Sequence, residues 1–168
     1  DTGCITVTTA RICNWDEKAR GLIGVEEIIV QSLNVGAAWL AAQLGQEQFR
    51  AYFTTLFGEK TGVDLPSETG ALLGNLSKPQ QVGYSTAAFG QGIALTPLQM
   101  IRALASIANG GTMVTPHLIS SVRLNSGIVR TLDWSGTVPV FSAAAARETT
   151  QMMTVVVDEK LENGRAKI

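Results

Sequence analysis

Apolar residues recur with two different periods along this chain, and the switch between them marks its elements. Residues 4–13, CITVTTARIC, alternate apolar and polar as strands do. Folding that stretch about Thr8-Thr9 predicts a hairpin with Ile5 opposite Ile12 and Cys4 opposite Cys13. Helical spacing takes over in VEEIIVQS, through Val25, Ile28 and Ile29, and in VGAAWLAAQLG, through Val35, Ala38, Trp39 and Ala42. Gly45 is placed to end the second run. QEQFRAYFTTLFG repeats the pattern through Phe49, Tyr52, Phe53 and Leu56 and stops at Gly58. Three helices in quick succession are predicted, with Ser32-Leu33-Asn34 at the junction of the first two.

Residues 58–85 are rich in Gly, Pro and Ser and hold no sustained period, so they read as a long irregular connection. A strong local signal follows in LTPLQMIRALASIANGG. Thr96 fits an N-cap, Pro97 the first helical position, and Gln99 completes a capping box. Leu98, Ile101, Leu104, Ala105 and Ala108 form one apolar stripe, and Gly110-Gly111 ends the helix. LISSVRL and GIVRTL flank Asn125-Ser126-Gly127 as a second hairpin. Ser142 is placed to cap a last helix that should stop near Asn163-Gly164. The expected fold class is mainly α with small β-hairpins.

Composition narrows the function classes. Hydrophobic residues make up 45% and charged residues 16% of 168, the balance of one globular domain. A formal net charge of -1 gives no electrostatic case for nucleic acid or an anionic membrane surface. No apolar run is long enough to cross a bilayer. The chain opens on Asp1, not Met, and reads as a piece of a longer polypeptide. One His and two Cys without a CxxC spacing offer no metal cluster, and nothing calls for a cofactor. Cys4 and Cys13 are either bridged across the hairpin or two small buried or half-buried thiols.

Most single residues have plain readings. Trp15, Trp39 and Trp134 are expected as core or half-buried anchors. His117, in a loop after Thr115-Pro116, is solvent-facing or packed. Phe89-Gly90-Gln91-Gly92 is a tight turn into the capped helix, or a neighbour of a cleft. The run Asp158, Glu159, Lys160, Glu162 is a solvated helix end. Ser32 and Asn34 carry two readings. Ser32 caps the helix starting near Val35 and Asn34 satisfies loop backbone, or the hydroxyl and the carboxamide together line a site.

Four blocks, in order, bear on that choice: EEIIVQSLNVGAAWLAAQLG; FGEKTGVDLPSETG; STAAFGQGIALTPLQMIRALASIANGG followed by TPHLI; and the helix ending VVVDEKLENGRAKI. Together they resemble the transpeptidase domain of penicillin-binding proteins, over nearly the whole chain. TGVDLPSE and FGQGIALTPLQ look more like the monofunctional, class B members. The resemblance implies the helical part of the serine DD-peptidase/β-lactamase-like α+β fold. It also implies a family working with three motifs: Ser-x-x-Lys, Ser-x-Asn and Lys-Thr-Gly. Ser32 and Asn34 match the second. By resemblance, the Ser32 hydroxyl bonds the catalytic lysine and helps carry a proton to the leaving amine. Asn34 holds the substrate carbonyl and the lysine.

Ser-x-x-Lys occurs nowhere in the 168 residues and is expected upstream of Asp1. Lys60-Thr61-Gly62 spells the third motif but is followed by Val63-Asp64-Leu65-Pro66 and precedes FGQG. It reads as a structural turn, with the catalytic copy expected past Ile168. Residues 1–168 are thus expected to be an internal portion of one transpeptidase domain, comprising the helical subdomain and part of the cleft wall, inactive alone. The implied partners of the parent are the D-Ala-D-Ala stem peptide of peptidoglycan, β-lactam antibiotics and a membrane glycosyltransferase of wall synthesis. Its implied place is membrane-anchored, on the extracytoplasmic face. A non-catalytic relative, or a β-lactamase or β-lactam sensor, is the alternative.

Overall fold

Strand β1 (Cys4–Val7) pairs antiparallel with β2 (Ala10–Cys13) in the register that the alternation predicts, Cys4 on Cys13 and Ile5 on Ile12. The two cysteines are bridged, with Cα atoms 4.0 Å apart, so the disulfide alternative holds. The structure, a computed structural model, describes residues 1–58, 60–78 and 80–160. They form two units: one of Asp1–Phe53, Leu72–Ala94 and the stretch beginning at Glu148, the other of Thr54–Ala71 and Leu95–Arg147.

In the first unit, α1 (Val25–Val30), α2 (Asn34–Leu44) and the larger part of α3 (Gln46–Phe57) follow the hairpin as predicted. Gly45 ends α2 at φ 84°, a conformation cheap only for glycine. Helices α1 and α2 touch at Gly36, where an added Cβ would lie 2.6 Å from Ile28 Cγ1. The core gathers Ala41, Phe49, Leu76, Tyr84 and Ala87. Phe49 stacks on Phe53 at 4.4 Å and meets Tyr84 edge-on at 6.0 Å. The Tyr84 hydroxyl donates to Leu76 O at 2.6 Å, so the ring is buried without an unsatisfied polar tip.

The irregular connection expected over 58–85 needs correction. It contains a 3-10 turn (Gly74–Ser77) and helix α4 (Gln81–Ala87). QVGYSTA is two turns long, with a glycine and two β-branched residues, and has no helical signal of its own. It is helical because Tyr84, Ser85 and Ala87 are buried, so tertiary packing overrides propensity.

In the second unit, α5 (Pro97–Ala108) begins with the predicted capping box. Thr96 Oγ1 accepts from the Gln99 amide at 3.2 Å, and the Gln99 side chain accepts from the Thr96 amide at 3.0 Å. The buried face of α5 is partly polar. Gln99, Ala103 and Ser106 are buried, while Ile101 is 63% exposed and Leu104 46%. Polar residues can occupy that face because their groups are paired: Gln99 Nε2 donates to Phe57 O at 3.0 Å and Ser106 Oγ to Ala103 O at 2.7 Å.

Strands β3 (Thr112–Val114), β4 (Ser121–Arg123), β5 (Val129–Thr131) and β6 (Thr137–Pro139) follow. The β4–β5 hairpin was expected; the antiparallel β3–β6 pair was not. Each of its strands has three residues, too few for a period to show. Gly111 closes that pair: at φ 92° its carbonyl accepts from the amides of Val140 (2.8 Å) and Phe141 (3.0 Å). Helix α6 (Ala143–Lys160) is capped by Ser142 Oγ, 3.1 Å from the Ala145 amide. Its expected stop near Asn163-Gly164, and Glu162, lie outside the described residues.

Two tryptophan readings also need correction. Trp15 is 75% exposed and Trp39 53%. Helix α2 is apolar nearly all round, so its pattern could not choose between Trp39 and the buried Val35, Gly36, Ala38 and Ala41. Trp134 is half-buried, donates to Ile119 O at 2.8 Å and stacks on the exposed ring of His117 at 5.0 Å.

Candidate functional site

The corner between α1 and α2 explains where a hydroxyl and a carboxamide two residues apart end up. Helix α1 closes with paired 6→1 and 5→2 bonds: Leu33 N–H to Ile28 O at 3.0 Å and Ser32 N–H to Ile29 O at 3.2 Å. This motif needs a left-handed residue just past the helix, normally glycine. Here it is Ser32, at φ 53°. A side chain in that conformation costs on the order of 1–2 kcal/mol. Leu33, buried, is the residue preceding α2, and Asn34 opens the helix.

Ser32 therefore does not cap α2. It is exposed, and its hydroxyl has no hydrogen-bond partner among the described residues. The cap comes from far upstream. Asn14 Oδ1 accepts from the Val35 amide at 3.1 Å, meeting one of the donors that a helix start leaves open. Asn34 Nδ2 donates to Cys13 O at 2.9 Å, so it does satisfy backbone, that of the bridged hairpin. Asn14 was missed in the sequence; a lone Asn after a strand carries no signal.

A polar chain runs up to the same corner. Arg20 grips both Asp16 oxygens at 2.9 Å, and Arg20 Nε donates to Gln31 Oε1 at 2.7 Å. Gln31 in turn donates to Glu27. The Arg20 guanidinium holds the Asp16 carboxyl below its ordinary range despite the opposing desolvation.

Ser32 and Asn34 line one concavity of about 500 Å³ and are its two polar side chains; Ile29, Leu40, Leu44 and Phe89 are among the apolar ones. An apolar hollow with few convergent polar groups is the usual form of a ligand site. Phe89 thus sits at the hollow, while Gly90 (φ 85°) and Gly92 (φ 79°) make the turn that follows α4.

Lys60-Thr61-Gly62 lies in irregular chain, not on a strand. The buried Thr61 donates through both its amide and its hydroxyl to Glu68 Oε1 at 2.6 Å, and Gly62 N–H to Glu68 Oε2 at 3.1 Å. Desolvation pushes the Glu68 carboxyl up, but the Thr61 and Gly62 donors and the charge of Lys60 outweigh it and hold it below its ordinary value. Asp64 works the same way, accepting from the Leu118 and Ile119 amides at 2.8 Å each. The TGVDLPSE block is thus a pair of carboxylate clasps. Among the described residues, Cys4, Cys13 and Glu17 lie close enough to share a metal, but both sulfurs are in the disulfide.

The α-rich fold is that of penicillin-binding transpeptidases. The structure superposes with a TM-score of 0.88 on penicillin binding protein 3 of Mycobacterium tuberculosis complexed with aztreonam. That match has 25% identity and covers 98% of this chain and 37% of that one. The chain belongs to the penicillin binding protein transpeptidase domain family, whose sequence profile matches residues 3–168. It is 37% identical over 119 residues to stage V sporulation protein D of Bacillus subtilis, covering 70% of this chain and 18% of that protein. To the peptidoglycan D,D-transpeptidase MrdA of Acinetobacter baumannii it is 34% identical over 116 residues, covering 63% of this chain and 17% of that protein. The chain therefore spans about a fifth of the length of these curated relatives.

Proposed function

We propose that residues 1–168 are an internal portion of one class B transpeptidase domain, and that Ser32 and Asn34 are the Ser-x-Asn pair of its active site. The observation that carries this is the placement of both side chains on one apolar hollow, on a corner where a serine stands in a glycine conformation. Relatives named as peptidoglycan D,D-transpeptidases and a neighbour holding aztreonam support the reaction class.

The parent's nucleophile is a serine upstream of Asp1, within Ser-x-x-Lys. It attacks the D-Ala-D-Ala carbonyl, expels D-alanine and forms an acyl-enzyme. An amine of a neighbouring stem peptide then takes the acyl group, so one hard step becomes two easier ones. Ser32 suits proton relay between the lysine and the leaving amine, since a hydroxyl donates and accepts at once. Asn34 suits positioning, since a neutral amide adds no charge beside the lysine. No cofactor takes part. The chain alone lacks the nucleophile and is inactive.

The parent is membrane-anchored with this domain on the extracytoplasmic side, where a disulfide such as Cys4–Cys13 persists. Its partners are the stem peptide, β-lactams and a membrane glycosyltransferase.

Acylation of the full-length parent by a labelled penicillin tests the reading. Ser32→Ala should slow it by about 10²–10⁴-fold, the usual contribution of a proton-transfer group, and Asn34→Ala by up to about a hundredfold through lost positioning, both in folded protein. Unchanged rates in both variants would refute the assignment.

A further inference from the structure

The last residue of the hairpin and the residue after it grip two consecutive residues of α2. The Cys13 carbonyl takes the Asn34 carboxamide at 2.9 Å, and the Asn14 carboxamide takes the Val35 amide at 3.1 Å. Asn14 is 2% exposed and fully engaged. Its Nδ2 donates to both oxygens of Asp1 (3.0 and 3.1 Å) and to Lys18 O (3.2 Å), and its amide donates to Gly3 O (2.8 Å). Three acceptors around the nitrogen fix the orientation of the carboxamide, so the oxygen faces Val35 and no flip satisfies the site. Gly3 is required beside it: an added Cβ would come within 2.4 Å of Glu17 O.

We propose that Asn14 is a positioning residue for Asn34 of the Ser-x-Asn pair, acting through the start of α2. Resting on the transpeptidase reading above, the assignment explains how a corner strained at Ser32 keeps one geometry. Leu33 is buried beneath it, Val35 is held by Asn14, and between them Asn34 is held by Cys13 through its nitrogen. The Asn34 oxygen has no hydrogen-bond partner among the described residues and is left for substrate or lysine. Without Asn14 the first turn of α2 loses its only side-chain cap among the described residues, and Asn34 loses its register on the hairpin. Small displacements of a positioning group slow reactions by up to about a hundredfold.

The test is a double-mutant cycle in the full-length parent, read as the second-order rate of acylation by a labelled penicillin. Wild type must be acylated; if it is not, the transpeptidase reading fails, not this one. Asn14→Ala is expected to slow acylation by about tenfold or more, measured at a temperature where melts show it folded. If Asn14 acts through Asn34, the Asn14→Ala/Asn34→Ala protein is no slower than Asn34→Ala alone, because the second change has nothing left to misplace. An unchanged rate in Asn14→Ala, or losses that multiply in the double variant, would overturn the proposal. Should Asn14→Ala not fold, the swap Asp1→Asn with Asn14→Asp decides. It keeps an acceptor for Val35 and a donor–acceptor pair between the two side chains, gives up only the bond to Lys18 O, and should be acylated clearly faster than Asn34→Ala. A folded swap variant as slow as Asn34→Ala would also overturn the proposal.

Discussion

The carboxamide of Asn34 donates to the carbonyl oxygen of Cys13 at 2.9 Å, and Cys13 is itself bridged to Cys4. A covalent staple thus holds the strand on which Asn34 rests, which gives the disulfide a part in stability and in the geometry of this corner.

Removing the bridge should destabilise the fold. The disulfide closes a loop with a sequence separation of 9, which in the chain-entropy account stabilises by about 2–3 kcal/mol. Cys4→Ser/Cys13→Ser should lose about that much in urea melts of the unreduced protein. Two titratable thiols in denatured, unreduced wild type would contradict the bridge.

Ser32→Gly should separate stability from function. Glycine takes φ 53° without the cost a serine bears, so the fold should gain about 1 kcal/mol even after the larger entropy loss of glycine. In the full-length parent the same change should slow acylation, because the hydroxyl is gone. A destabilised Ser32→Gly protein would mean that the corner is not held as described.

The Glu68 clasp predicts an acid-sensitive term. Its carboxyl is held below the ordinary glutamate value when folded, so its contribution is fully present above that value. It is lost as pH falls through the lower folded value. Glu68→Gln should cost about 1 kcal/mol at neutral pH, since a charged acceptor of three donors becomes a neutral one. The gap from wild type should shrink as pH is lowered below the carboxylate range. A gap that stays constant with pH would show that the carboxylate charge plays no part.

Much of the fold was legible because it is locally encoded. The first hairpin was readable from alternation, the first three helices from their spacing, and α5 from Thr96 and Gln99. What failed to show depends on distant partners. Helix α4 is helical because Tyr84 is buried, and β3 pairs with a strand more than twenty residues on. The burial of Gln99 and Ser106 on α5 was not legible, because it depends on the partners that pair their polar groups. Ser32 and Asn34, the proposed pair, were visible as a motif. Asn14 was not, because its role exists only once the hairpin meets α2.

The most direct measurement is peptide mapping by mass spectrometry after penicillin treatment of the isolated chain and the full-length parent. The account predicts no adduct on residues 1–168 in either protein, and one covalent penicilloyl group on a serine upstream of Asp1 in the parent. An adduct on Ser32 in either protein would contradict it, making that serine the nucleophile and not its helper.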